Sequence, residues 1–190
     1  MEISFRDLIT VLHGMGFGAL FMLAFSGAIG VIYATAVAGT DWPVPRRATT
    51  MFRFYLISMA TLAWLAVLSG AYIIYPWYRA VPPPGTTDLS FYPRQFLLSS
   101  PLTAGWHDLG MEWKEHIAWF TPIAMTMVAY VFIKYGPQLA LHRYMRNAVL
   151  GFTVVAFFAT AVAGGFGAFL NQYAPVRGGH EFILFLQDQP

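Results

Sequence analysis

The sequence contains no cysteine. Disulfides, iron–sulfur clusters, thiolate zinc sites and covalently attached haem c are therefore excluded. Charge is almost as scarce. Asp, Glu, Lys and Arg make up 11% of the chain, where an ordinary soluble domain carries about a quarter. A chain this poor in charge cannot cover a compact surface with polar groups, so lipid must cover much of it. There is no 20–50-residue repeat, no low-complexity stretch and no clustered basic patch, so nothing points to nucleic acid. Alternating polar positions are missing as well, which argues against a membrane barrel.

Apolar length is abundant. Hydrophobic residues form 57% of the 190 residues, and the mean hydropathy is +0.55. Four runs carry no Asp, Glu, Lys or Arg: Leu8–Gly39, Tyr55–Tyr78, Ile117–Ile133 and Ala148–Val176. About 20 apolar residues carry a helix across the roughly 30 Å hydrocarbon core. All four runs reach, and the third, being short, is expected to extend past the membrane surface as helix. The first is too long for a signal-peptide core and has no small-residue cleavage site after it, so it reads as a retained helix. The expected fold is an all-α integral membrane protein in one domain, an up-down-up-down bundle. Its spans lie at about 8–39, 55–78, 117–134 and 148–173, with an external loop at 79–116.

Basic residues orient this bundle. Arg46, Arg47 and Arg53 lie in one short connection, and Lys134, Arg143 and Arg146 in another on the same side. The positive-inside rule places both in the cytoplasm. Both termini and the 79–116 loop are then periplasmic, and the expected location is a bacterial inner membrane. Tyr75, Trp77, Tyr78, Trp106, Trp113 and Trp119 form an aromatic belt at the outer boundary. The loop opens on a stiff Val81-Pro82-Pro83-Pro84-Gly85 stretch, and its far end could be an interfacial helix leading into the third span.

Four of the five histidines (His13, His107, His116 and His180) map to the outer side, whereas His142 lies in a cytoplasmic loop. His13 is about one turn inside the first span, and His116 opens the third within Met111-Glu112-Trp113-Lys114-Glu115-His116. Parallel spans sit diagonally across a four-helix bundle. Two imidazoles at matched depth there can hold the iron of one b-type haem. Gly14 and Gly16 on the first span, and Gly164 and Gly167 on the fourth, would leave room for the macrocycle. Glu112, four residues before His116, would accept its second N–H. Arg94 or Arg79 would pair with propionates. His107 and His180 are alternative ligands. Nine residues separate His107 from His116, which is about 900° of helix, so one continuous helix cannot turn both toward one haem. Equally, Gly14 and Gly18 are spaced for simple helix packing, and Glu112 and Lys114 could be merely solvated.

Four spans, no cysteine and histidines near one membrane face resemble the small membrane-anchoring cytochrome b subunits of respiratory oxidoreductases. The resemblance implies haem b, a quinone pool, other membrane subunits and a periplasmic redox subunit as partners. Ser26 and Ala129 stand where a second haem would need histidines, so one haem and not a stacked pair is expected. The alternatives are a cofactor-free structural anchor of a larger complex, and a metal enzyme built on Asp108, Glu112, Glu115 and His116. The latter has no H-E-x-x-H pattern behind it. Span centres without ionisable residues argue against a transport pathway.

Overall fold

A computed structural model describes residues 2–37, 46–174 and 181–183. The described chain is nearly all helix. Four helices are long and apolar enough to cross a membrane: α1 (Phe5–Ala34), α2 (Arg47–Tyr78), α4 (Pro101–Tyr135) and α5 (Arg143–Tyr173). A short α3 (Pro93–Leu98) precedes α4. In hydrocarbon no water can satisfy a free N–H or C=O, so long apolar runs close their hydrogen bonds internally as helix.

Local chemistry sets the helix ends. Ser4 and Asp7 form a capping box at the start of α1: Asp7 N–H donates to Ser4 Oγ (3.1 Å) and Ser4 N–H to the Asp7 carboxylate (3.3 Å). Proline at the first helical position opens both α3 and α4. Gly136, at φ +24°, ends α4. Gly85, at φ +85°, turns the proline-rich connection, with Thr86 N–H donating to Pro83 O (3.2 Å). The helix of α4 begins 16 residues before the apolar run Ile117–Ile133. The last 16 residues of the expected external loop, 101–116, are therefore part of the same rod, interrupted only by a turn at 117–119.

Neighbouring helices run antiparallel. Contacts between α1 and α2 pass from Gly27–Tyr55 to His13–Ser69, and those between α4 and α5 from Trp106–Tyr173 to Thr121–Ala156. Phe52–Phe132 and Trp64–Thr126 join α2 to α4, and Phe25 stacks on Phe157 between α1 and α5. The main core is Phe21, Ala28, Ile32, Leu56, Met59, Met125, Val128, Phe132 and smaller neighbours. A second cluster, Tyr78, Leu97, Met111, Leu170 and Ala174, closes the end of the bundle that holds His13. Many large apolar side chains, Leu23, Phe54 and Phe158 among them, lie on the outside. That is the pattern of a helix bundle dressed in lipid. A two-stranded antiparallel pair, β1 (Glu2–Ser4) with β2 (Glu181–Ile183), ties the two ends of the chain together.

Candidate functional site

Three of the long helices loosen into π-helical turns: Leu12–Ala19 in α1, Gly70–Ile74 in α2 and Trp106–Met111 in α4. The first holds three glycines, the second begins on Gly70, and the third follows Gly105 and contains Gly110. Such turns leave the regular i→i−4 ladder and recur at functional sites. The first carries His13, the second flanks Ser69, and the third carries His107.

His13 is half-buried and faces α2. Its Nδ1 lies 3.0 Å from Ser69 Oγ, and Ser69 in turn donates to Ala66 O (3.1 Å). Because Ser69 has spent its only proton, His13 Nδ1–H must be the donor. This assignment follows from the network. The neutral imidazole then keeps a lone pair at Nε2. The ring lies on Gly70, where a Cβ would stand 2.8 Å from His13 Cε1. Glycine here is a requirement of the close approach.

Across the bundle, Lys114 behaves in the same way. It does not extend to solvent. Its Nζ reaches Ala163 O on α5 at 3.4 Å, and a Cβ on Gly167 would meet it at 2.6 Å. Its charge is close enough to act on the His13 ring. Two glycines on two helices thus clear space for two ionisable side chains at one end of the bundle. Beside Lys114, the indole Nε1 of Trp113 is buried without a hydrogen-bond partner, its ring 6.3 Å from Phe166.

A groove of about 430 Å³ opens between α1 and α2 next to His13. Its walls are Ile9, Leu12, Phe17, Leu65, Leu68, Tyr72 and Ile73, with Ser69 among them.

His107 has a different environment. It is buried, with Nδ1 2.8 Å from Tyr78 Oη and Nε2 3.3 Å from Arg94 Nε. Guanidinium can only donate, so Nε2 accepts from Arg94 and Nδ1–H donates to Tyr78. Both ring nitrogens are occupied, so His107 has no lone pair for a metal. Arg94 gives its Nε–H to that contact. Tyr75 takes a hydrogen bond from Arg79 (3.0 Å) and has Glu115 beside it.

His116 faces outward, with 70% of its side chain exposed. Its Nδ1–H donates to Glu112 O at 2.9 Å, and the Glu112 carboxylate is 3.7 Å away. The expected Glu112–His116 pairing on one helix face is present, but the backbone carbonyl is the nearer acceptor. Gly14 and Gly164 have open space where a side chain would project, and Gly16 contacts only Leu12 of its own helix. Gly167 is filled by Lys114. These residues, as placed, do not fit a porphyrin clasped between His13 and His116. One ring is held against α2, the other lies on the exterior, and the recess expected to admit the macrocycle holds a lysine. His180 lies outside the described residues, and His142 is exposed. Among the described residues no group of three His, Asp or Glu side chains could hold a metal ion, which includes the expected set Asp108, Glu112, Glu115 and His116.

Sequence reasoning missed Lys114, Ser69 and Gly70. Lys114 sits in a run of charged residues that reads as hydrated, and Ser69 and Gly70 gain meaning only once α2 is laid against His13. Comparison with family models, curated proteins and solved structures finds no match for this chain.

Proposed function

We propose that this chain is a membrane subunit of a respiratory electron-transfer complex and that its His13 end receives a quinone headgroup. The observation that carries this is the groove between α1 and α2, lined almost wholly by apolar atoms, with Ser69, whose hydroxyl is bonded to His13, in its wall. Sites for small apolar ligands are typically clefts of about 300–1,000 Å³ with a few placed polar groups. A quinone suits such a site: its tail is lipid-soluble, and its ring carbonyls need one or two polar partners. On this reading Ser69 orients the headgroup. Neutral His13, behind Ser69, holds that hydroxyl in place. The basic connections lie in the cytoplasm, and the His13 end faces the periplasm of a bacterial inner membrane. Electrons then pass between the quinone pool and a periplasmic redox subunit or cytochrome docked at that end, with other membrane subunits alongside. A b-type haem would supply one-electron transfer. Among the described residues only His13 has the free nitrogen and interior position an axial ligand needs, so a second ligand would have to come from outside them.

The test is titration of the purified chain in neutral detergent with a short-chain quinone. Saturable binding, weakened about tenfold by Ser69→Ala and by His13→Gln, is expected for loss of one hydrogen bond to a buried acceptor. Leu68→Trp, which fills the groove, should abolish binding. Partitioning that never saturates, or affinity unchanged in all three variants, rejects the proposal.

A second reading, a cofactor-free structural subunit, draws on Gly14, Gly164 and Gly165, which leave open space on the bundle exterior where a neighbouring helix could approach. In that case the complex assembles and works with Ser69→Ala and His13→Gln in place.

A further inference from the structure

We infer that Lys114 and Trp113 form a binding site for an anionic oxygen group, a phosphate presented at the level of the lipid headgroups. Two hydrogen-bond donors on one turn of α4 are turned into the same stretch of α5 and lack an adequate acceptor. The Lys114 ammonium has one contact, a carbonyl at the long distance of 3.4 Å, and the Trp113 Nε1–H is buried with none. A buried ammonium is costly unless an opposite charge compensates it. The neighbouring carboxylates are engaged elsewhere: Glu112 is 3.7 Å from exposed His116, and Glu115 lies beside Tyr75. Among the described residues no carboxylate forms an ion pair with Lys114. The lysine is not there by default. Gly167 is hollowed to admit it, and the adjoining Gly164 and Gly165 have open space around them.

Depth identifies the class of ligand. With 31 residues, α5 is roughly 46 Å long at 1.5 Å per residue, about 16 Å more than the hydrocarbon core. Shared between its ends, that leaves roughly 8 Å of helix outside the hydrocarbon at each. Gly167 lies six residues before the last helical residue, Tyr173, or about 9 Å along the axis. The Lys114 ammonium therefore sits at the boundary where phosphates of anionic phospholipids end and acyl chains begin. A soluble phosphate entering from the aqueous side would offer the same oxygens. The site is on the α4–α5 seam, apart from the quinone groove between α1 and α2, so either proposal can fail alone.

The experiment measures the thermal unfolding midpoint of the full chain in neutral detergent during titration with phosphatidylglycerol, phosphatidylcholine or inorganic phosphate. Phosphatidylglycerol is expected to raise the midpoint saturably, and phosphatidylcholine is not. If inorganic phosphate alone does the same, the natural ligand is a soluble anion. If it does not, the lipid is the source. Lys114→Met should remove the response, Lys114→Arg should keep it, and Trp113→Phe should weaken the apparent affinity about tenfold, the loss of one hydrogen bond to a charged group. An equal response to phosphatidylcholine, no response to either anion, or an undiminished response in Lys114→Met overturns the assignment. Should Lys114→Met fail to fold, Trp113→Phe decides: unchanged affinity for both anions overturns it.

Discussion

Gly70→Ala tests whether the His13–α2 contact is specific. The added Cβ would stand 2.8 Å from His13 Cε1, with Nδ1 and Nε2 at 3.4 and 3.5 Å. The obstacle is a ring whose position is fixed by its bond to Ser69, so it cannot rotate aside without losing that bond. Overpacking of this kind costs about 1–3 kcal/mol, and the lost hydrogen bond about 1 kcal/mol. Alanine recovers about 1 kcal/mol of helix propensity over glycine. The net destabilisation should be about 1–3 kcal/mol. In a His13→Ala background both penalties vanish and the propensity gain remains, so the same substitution should stabilise by up to about 1 kcal/mol. The double-mutant cycle then gives a coupling of about 2–4 kcal/mol, at the upper end of what contacting residues show. Equilibrium unfolding of the four proteins in mixed detergent micelles measures it. A coupling within about 0.5 kcal/mol of zero, the level of independent sites, would refute the placement of His13 against Gly70.

Other substitutions read different parts of the structure. His116→Ala should change stability by less than about 0.5 kcal/mol, since the ring is exposed and bonds only within its own helix turn; the same unfolding assay checks it. Tyr78→Phe removes the acceptor for His107 Nδ1–H inside a buried cluster and should cost about 1–3 kcal/mol, with His107→Phe relieving part of that loss in the double mutant. Phe132→Ala, at a site 2% exposed in the main core, should cost about 3–5 kcal/mol and lower the unfolding midpoint more than any change at the His13 end.

The four long helices were legible because bilayer thickness imposes a length on any apolar run, and charge-free runs such as Tyr55–Tyr78 meet it directly. Helix ends were harder. Pro101–His116 is too polar to count as a span, yet Pro101 and Ser100 start a helix that continues unbroken into the apolar segment apart from one turn. The side-chain directions were not legible. The neighbours Trp113 and Lys114 turn inward while Glu112 and His116 turn out, and nothing in the order of residues within Glu112-Trp113-Lys114-Glu115-His116 distinguishes a hydrated lysine from one received by a glycine on another helix. Gly167 carries that information, more than fifty residues away. The same holds for Ser69 and Gly70, which look like ordinary span residues until α2 meets His13. Expecting His13 and His116 to face each other assumed regular helix on both spans, and α1 departs from regularity at the histidine itself.

That departure gives the His13 end its chemistry. A π-helical stretch adds a residue to the turn, so side chains before it are rotated relative to the face that packs the core beyond it. In α1 the core face is set by Phe21, Ala28 and Ile32, all after the stretch Leu12–Ala19. In α4 it is set by Met125, Val128 and Phe132, well after Trp106–Met111. The apolar half of each helix can therefore keep its packing while the other half presents a polar residue inward: His13 to Ser69, and His107 to Tyr78 and Arg94. A uniformly regular helix would have to give up one or the other. Glycine makes the loosened turn affordable at Gly14, Gly16 and Gly18, and again at Gly70 and Gly110, by leaving no side chain to clash as the backbone widens. The larger buried apolar cluster fills one half of the bundle, and the polar residues turned inward, His13, His107 and Lys114, are gathered in the other.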